Sequence, residues 1–330
     1  MIPSVDPVSP APGELKGLVM RQSSGVYSVR SDADGRMYAC SIRGRLLEQA
    51  SESDLVAIGD RVRFTASDPQ THEGIIEQIA DRDNVLSRAL RTEGLRGAGL
   101  PEREQVLVAN VQLALFVFAI SQPKPSFRML DRFLVAGERA QIPELIIVIN
   151  KVDLLDAAEP QTVAQFSEYE TLGYPLYWTS AITREGLSEL KQLLKSGIAV
   201  VSGPSGVGKS SILNAIQPGI DRKVQLVSQK RQEGIHTTRD RELVPLKTGA
   251  YLADTPGLRN LNFWDLEPDE LDGYFRDLAP LVPQCRFRNC SHRNEPDCAV
   301  KAALAKQELS QSRYDSYRAF YEELVAAYEI

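Results

Sequence analysis

A glycine-rich segment at residues 203–210, Gly-Pro-Ser-Gly-Val-Gly-Lys-Ser, has the residue types and spacing that hold the phosphates of a nucleotide. It follows an apolar run at 198–201 and precedes a predicted helix at 211–216, which is the context that a phosphate loop requires. Backbone N–H groups of such a loop surround the phosphates, and its glycines let the backbone approach them closely. An accidental glycine turn is the alternative, and the flanking strand and helix argue against it.

Each residue of this loop is expected to contact the nucleotide. Lys209 should neutralise the β- and γ-phosphate oxygens, and the Ser210 hydroxyl should ligate Mg²⁺. The other predicted contacts are Gly203, Pro204, Ser205, Gly206, Val207, Gly208 and Ser211.

A second motif, Asn150-Lys151-Val152-Asp153, has the residue types that recognise guanine. The Asp153 carboxylate can accept hydrogen bonds from guanine N1–H and the N2 amino group, whereas adenine would leave it unpaired. We expect Asn150 to steady the loop and base, and the Lys151 stem to lie along the purine face. A companion segment, Thr179-Ser180-Ala181, follows one β-α unit later, and its backbone amides should meet guanine O6. The tripeptide alone is nearly uninformative, so its position carries the prediction.

Two further segments are expected to respond to the γ-phosphate. Asp254 begins an Asp-Thr-Pro-Gly turn after the apolar run at 250–253, and should hold Mg²⁺ directly or through water. The Gly257 amide of that turn could contact the γ-phosphate. Between this turn and the phosphate loop, Thr237 and Thr238 could complete the Mg²⁺ shell only when GTP is present, and their positions favour Thr238.

The residue after Gly257 bears on catalysis. Ras-like enzymes place there a glutamine that orients the attacking water, but this chain has Leu258, which cannot hydrogen-bond to water. His236 is the nearby side chain of suitable chemistry, and the alternative is that it packs or is solvated. The predicted catalytic residues are therefore His236, Lys209 and Gly257.

Three cysteines and a histidine lie within residues 285–298, spaced as a closed tetrahedral zinc site requires. The predicted ligands are Cys285, Cys290, His292 and Cys298. All four positions would be filled by protein, which leaves none for a catalytic water, so the ion should be structural. Free thiols are the alternative. Interleaved arginines at 286, 288 and 293 make this segment a candidate RNA contact, or else a solvated rim.

The guanine motif precedes the phosphate loop, the reverse of the order in ordinary GTPases. Both motifs are intact, which indicates a circular permutation. The permutation also leaves the turn at 254–257 as the last element of the predicted GTPase domain, a short distance before the zinc cluster. We therefore expect nucleotide state to reach the zinc-binding part first, through the turn at Leu258.

Short alternating apolar runs between 15 and 89 predict a five-stranded barrel of the OB type, although a plain structural barrel is an alternative to RNA binding. Alternating strands and helices from 113 onward predict a mostly parallel sheet with helices on both faces. The predicted parts are a disordered tail (1–13), an OB-like barrel (14–90), a linker (91–106), a circularly permuted α/β P-loop GTPase domain (107–265) and a helical zinc-binding domain (266–330).

Composition limits the possible partners. The 330 residues are 43% hydrophobic with a net charge of −6, so nucleic acid would be met only by local patches such as the basic segment 222–241, which could also be a solvated loop. No secretory or membrane-spanning segment is visible, so we expect a cytoplasmic protein without a membrane partner. We also expect a monomer.

These features together resemble the RsgA-type family of circularly permuted GTPases, which act in maturation of the bacterial small ribosomal subunit. The resemblance covers nearly the whole chain, including the barrel, the motif order, His236-Thr237-Thr238 and the cysteine cluster. It implies binding of GTP, GDP, the small subunit and its rRNA, GTP hydrolysis stimulated by the small subunit, and a catalytic role for His236. Two alternatives stay open: a permuted GTPase that serves the large subunit or another RNA particle, and an RNA-binding adaptor that is gated by GTP with little turnover.

Overall fold

The computed structural model describes residues 13–23, 25–47, 55–68, 71–90, 103–220, 241–254 and 266–328. Residues 1–12 of the predicted N-terminal tail and the segment with His236, Thr237 and Thr238 lie outside these ranges. The chain divides into two compact units. The first contains Met1–Asn110, Val224–Val244 and Ala253–Thr255, and the second contains Val111–Lys223, Pro245–Leu252 and Pro256–Ile330.

The first unit contains the predicted five-stranded barrel. Its strands are β1 (Glu14–Ser23), β2 (Val26–Ser31), β3 (Met37–Ile42), β4 (Arg61–Asp68) and β5 (Glu73–Ile79), with a short helix at Gly44–Leu47. The strand order is β1-β2-β3-β5-β4, and β4 pairs back with β1, which closes the barrel. Alternate side chains fill its interior, among them Val29, Phe64 and Ile76, each with 0% of its surface exposed.

A hairpin follows the barrel. Strands β6 (Val85–Leu90) and β7 (Arg103–Ala109) form a two-stranded antiparallel sheet. The sequence predicts a linker over 91–106, whereas β7 already begins at Arg103. The glycines and mixed charges of the preceding segment hid this strand, which is held by burial of Val106 and Val108.

The second unit is built on a parallel sheet. Its strands are β8 (Val111–Ala119), β9 (Glu144–Asn150), β10 (Leu176–Thr179) and β11 (Ile198–Ser202). Their order is β10-β9-β8-β11, and all three pairings are parallel, as predicted. Helices Phe127–Arg139, Pro160–Thr171, Leu187–Leu193 and Lys209–Ile216 alternate with these strands. The carboxyl ends of β9, β10 and β11 therefore meet at one edge, where ligands bind in such sheets.

Two strands contribute to both units. These are β12 (Arg241–Pro245) and β13 (Tyr251–Asp254), and β13 is the neighbour of β11. In the first unit, Arg241 of β12 pairs with Gln22 of β1. Arg241 is only 6% exposed and donates from Nη1 to the Val106 carbonyl. This arginine is part of the predicted basic segment, but it is buried and so does not contribute to a surface patch.

The last part of the second unit is helical. It contains 3-10 turns at Pro268–Tyr274 and Val282–Gln284, a helix at Ala299–Ala305, and a closing helix at Gln311–Tyr328. Its core includes Phe275, Val300, Tyr317 and Phe320, and Val135 of the helix Phe127–Arg139 packs in the same cluster. Among the described residues, no helix combines the length and apolar character needed to cross a bilayer.

Candidate functional site

The predicted phosphate loop lies between the end of β11 and the helix Lys209–Ile216. Gly203, Gly206 and Gly208 have φ values of 149°, 79° and 95°, which residues other than glycine rarely adopt. A Cβ atom on Gly203 would lie 2.1 Å from the Val117 carbonyl oxygen. Backbone conformation therefore favours glycine at all three positions, and lack of space also requires it at Gly203 and Gly208, so the loop can present its N–H groups at short range.

Lys209 begins the helix at the end of this loop. Its Nζ donates to the carbonyl oxygens of Gly203 at 2.7 Å and Pro204 at 2.6 Å, so the ammonium group lies against the loop backbone. Ser210 and Ser211 lie in the first turn, where helical N–H groups have no partner within the helix and the dipole favours an anion. The predicted phosphate ligands therefore converge on one loop and one helix terminus.

Asn150 of the guanine motif ends β9 and is only 1% exposed. Its Nδ2 donates to the backbone carbonyl of Val207 in the phosphate loop, at 2.7 Å. Its Oδ1 accepts from Thr179 Oγ1 at 3.3 Å. A Cβ on Gly208 would lie 2.3 Å from Asn150 Nδ2, so this contact also depends on that glycine. One buried amide thus connects the guanine motif, its companion segment and the phosphate loop.

The next two motif residues are positioned by backbone and hydroxyl contacts. Lys151 adopts a left-handed conformation with φ of 65°, and its Nζ donates to the Gln122 carbonyl. Ser180 Oγ donates to Asp153 Oδ1 at 2.5 Å and accepts from the backbone N–H groups of Ile182 and Thr183 at 3.1 Å. Ser180 therefore orients the Asp153 carboxylate and fixes the turn that contains Ala181. The sequence assigned Ser180 only a backbone contact with the base.

The remaining predicted nucleotide residues are only partly described. Asp254 is the last residue of β13. Thr237, Thr238, His236 and Gly257 lie outside the described residues. Their roles stay predictions from the sequence.

The four predicted zinc ligands lie together in the structure. One atom from each of Cys285, Cys290, His292 and Cys298 falls within a group whose members are all within 4.8 Å of one another. His292 Nδ1 is 3.4 Å from Cys298 Sγ and 3.6 Å from Cys285 Sγ. Three sulfurs and one ring nitrogen at this separation fit a tetrahedral zinc ion.

The surroundings of the cluster suit a bound metal. His292 is fully buried, and its Nε2 lies 2.9 Å from Asp272 Oδ2, which leaves Nδ1 on the side of the thiols. Burial opposes ionisation of the Cys298 thiol, but the backbone N–H of Lys301 and the His292 ring lower its pKa below the usual value. Burial raises the pKa of Cys290 to about 12, and a metal would deprotonate that thiol. Sequence reasoning missed Asp272, because nothing in the chain pattern marks it.

The arginines of the cysteine segment differ in their contacts. Arg286 pairs with Asp297 at 2.8 Å, and its side chain is 63% exposed. Arg293 lies over the Tyr321 ring, 4.7 Å from the centroid, in an arrangement that favours a cation. Among the three, Arg286 and Arg288 are exposed enough to meet a phosphate backbone, whereas Arg293 is partly buried.

Comparison with known proteins agrees with this architecture. Residues 79–264 match the model of the RsgA GTPase family. The chain is 38% identical over 308 residues to the small ribosomal subunit biogenesis GTPase RsgA of Thermotoga petrophila, covering 93% of this chain and 96% of that protein. It is 39% identical over 310 residues to the protein of that name from Halalkalibacterium halodurans, covering 94% and 97%.

Two solved structures show the same arrangement. YjeQ from Thermotoga maritima superposes with a TM-score of 0.73 at 34% identity, covering 94% of this chain and 99% of that one. YloQ, described as a circularly permuted GTPase, gives a TM-score of 0.70 at 31% identity, covering 95% and 96%. The predicted permuted GTPase fold is thereby confirmed, and the chain belongs to the RsgA GTPase family.

Proposed function

We propose that this GTPase acts in late maturation of the small ribosomal subunit. It binds the subunit and its rRNA with GTP and leaves after hydrolysis to GDP. The observation that carries the proposal is the likeness over 93% of the chain to proteins named for biogenesis of that subunit. Assembly of that particle in bacteria takes place in the cytoplasm, which is where we expect the protein to work, as a monomer.

The nucleotide site would use groups from five segments of the chain. Asn150, Lys151 and Asp153 read the base, with Ser180 orienting the carboxylate. Lys209 and the N–H groups of residues 203–211 hold the phosphates. Mg²⁺, held by Ser210, Thr238 and Asp254, would neutralise charge that develops on the β- and γ-phosphate oxygens.

Hydrolysis requires that water attack the γ-phosphate in line with the leaving oxygen. We assign orientation of that water to His236, and contact with the γ-phosphate to the Gly257 amide. Leu258 offers no hydrogen bond to water, so hydrolysis by the isolated protein should be slow and the small subunit should stimulate it. The cysteine cluster would hold one structural Zn²⁺, which fixes a segment with few buried apolar residues of its own.

The decisive experiment is phosphate release from GTP with purified small subunits, large subunits or neither. The proposal expects strong stimulation by small subunits alone. Equal stimulation by both, or by large subunits alone, would favour service to another particle. Binding of GTP with no release under any condition would favour a GTP-gated RNA adaptor. Co-sedimentation with each subunit, with GDP and with a GTP analogue, would report binding independently of turnover.

A further inference from the structure

The helix Phe127–Arg139 is connected at its N-terminus to the guanine motif. Its N-cap is Ser126, whose Oγ accepts from the Met129 N–H at 3.4 Å. Residues 121–126 lead into this cap from the end of β8, and the Gln122 carbonyl in that segment accepts a hydrogen bond from Lys151 Nζ. Lys151 therefore contacts the segment that leads directly into the start of the helix.

A buried group of charged and polar side chains lies along the same helix. Arg313 of the closing helix donates from Nη1 to Asp131 Oδ1. It holds both oxygens of Asp277, through Nε at 2.9 Å and Nη2 at 2.7 Å. The Tyr169 hydroxyl donates to Asp131 Oδ1 at 2.7 Å. We call these four residues the Arg313 cluster.

Because the Arg313 cluster is buried, its members must keep their relative positions. The side chains of Arg313 and Asp131 are 2% and 0% exposed. Moving one of them away leaves the others with uncompensated charge in a dry environment, which is strongly unfavourable. The planar guanidinium also fixes its bidentate partner in direction as well as distance. The cluster therefore joins the helices Phe127–Arg139 and Pro160–Thr171 to the closing helix through buried, directional contacts.

The closing helix in turn contacts the backbone of the cysteine segment at 285–298, which we call the zinc loop. The Tyr314 hydroxyl donates to the His292 carbonyl at 2.7 Å. The Tyr317 hydroxyl donates to the Ser291 carbonyl at 3.1 Å. Tyr314 is adjacent to Arg313, so the cluster and the zinc loop are held by neighbouring residues of one helix.

We propose that occupation of the guanine site is coupled to the zinc loop through Lys151, the helix Phe127–Arg139 and the Arg313 cluster. The route begins at the base, so GDP engages it as well as GTP. In this respect it differs from the route predicted through Leu258, which begins at the γ-phosphate. The inference rests on the proposed binding of guanine nucleotides by the motif at 150–153.

Coupling of this kind is reciprocal. If GDP orders the zinc loop, then a change that loosens the connection must weaken GDP binding by the same factor. Coupling free energies between sites commonly correspond to about 5- to 150-fold in affinity. The coupling can therefore be measured either as the effect of GDP on the zinc loop or as the effect of a variant on the affinity for GDP.

The test is backbone hydrogen exchange of the full-length protein, nucleotide-free, with GDP and with a GTP analogue. In the wild type, GDP should slow exchange at residues 290–292 by about fivefold or more. In Arg313→Lys, which keeps the charge but loses bidentate geometry, this slowing should disappear and the Kd for GDP should rise by about the same factor.

Arg318→Lys is the matched control, because it makes the same chemical change on the same helix, where Arg318 pairs with Glu322 at 3.6 Å on the exposed surface. In this control variant, GDP should still slow hydrogen exchange at residues 290–292. If Arg313→Lys does not fold, Tyr314→Phe decides, because it removes one hydroxyl and leaves the ring. Slowing by GDP that persists in the folded variant, or slowing by the GTP analogue alone, would overturn the coupling. Failure of the wild type to bind GDP would instead overturn the proposed function.

Discussion

Asn150 donates from its side-chain amide to the backbone carbonyl of Val207, at 2.7 Å, and so ties the end of β9 to the phosphate loop. Thr179, at the end of β10, donates to the same side chain at 3.3 Å. The contact is buried, since Asn150 is 1% exposed. One amide therefore sets the spacing between the loops predicted to bind the base and the loop predicted to bind the phosphates. Circular permutation changes the chain order of these loops and keeps their contact.

Asn150→Ala should weaken nucleotide binding. The variant leaves the buried Val207 carbonyl without its donor, at a cost of about 1–3 kcal/mol. If that cost falls on the nucleotide-binding arrangement, the Kd for GDP rises by about 5- to 150-fold, which calorimetry can measure. Asn214→Ala makes the same chemical change in the helix Lys209–Ile216, where Oδ1 only accepts from Gly219 N–H at 3.0 Å. Equal affinities in the two variants would contradict the role of Asn150.

Asp153→Asn should change which base is bound. Xanthine has an oxygen where guanine has its N2 amino group, so an asparagine amide can donate where the aspartate accepted. We expect GDP binding to weaken by about 100-fold or more and xanthosine diphosphate binding to improve, since unpaired polar groups in a base site are costly. The change in base preference can be measured from the concentrations of GDP and of xanthosine diphosphate that displace a fluorescent GDP analogue from the protein. Parallel weakening of both nucleotides would argue that Asp153 only supports the loop through Ser180.

The four cysteines should separate into two classes. Cys298→Ala removes a predicted zinc ligand and should abolish zinc retention and lower the melting temperature, because metal binding contributes to folding. Cys40→Ala is the matched control and should keep one zinc ion per chain, since Cys40 lies alone in the barrel interior. Metal content by mass spectrometry under native conditions distinguishes the two. Zinc retained by Cys298→Ala would contradict the ligand set.

Alkylation provides a second measurement on the same cysteines. Burial raises the pKa of Cys40 to about 12, so at pH 8 its reactive thiolate is scarce. Chelation of zinc at that pH should expose the thiols of the zinc loop to iodoacetamide while Cys40 stays unmodified until the barrel unfolds. Rapid labelling of Cys40 in the folded protein would show that its site is more open than the structure indicates.

Residue patterns within single segments predicted the strands, the phosphate loop and the cysteine cluster, because each of these forms from one short stretch of the chain. The strands at β9 and β11 are continuous apolar runs bounded by motif residues, and glycines at 203, 206 and 208 occupy left-handed or sterically closed positions. The cysteine spacing was equally informative, because four ligands within one short segment can meet only if that segment folds on itself.

Contacts between distant segments could not be predicted in this way. Asp272 meets His292 only because the turn Pro268–Tyr274 packs beside the zinc loop. In the sequence, Arg313 cannot be distinguished from the other charged residues of an amphipathic helix, yet it is buried between two aspartates from other segments. The strand at Arg103–Ala109 was hidden because pairing with β6 overrides its polar flanks. In each case the determining interaction is tertiary, and periodicity carries no information about it.

His236→Ala should reduce GTP hydrolysis while leaving GTP binding nearly intact. The reason is chemical: with leucine at 258, no glutamine follows the Asp-Thr-Pro-Gly turn to orient water, and an imidazole can both accept and donate the required hydrogen bonds. Loss of a water-positioning group costs about 10²- to 10⁴-fold in rate. Single-turnover hydrolysis with small subunits, measured beside the Kd for a GTP analogue, separates chemistry from binding. His72→Ala, a histidine of the barrel that lies against the Tyr38 ring, is the control and should hydrolyse GTP at the wild-type rate. Equal losses of binding and turnover in His236→Ala would show instead that this histidine only shapes the site.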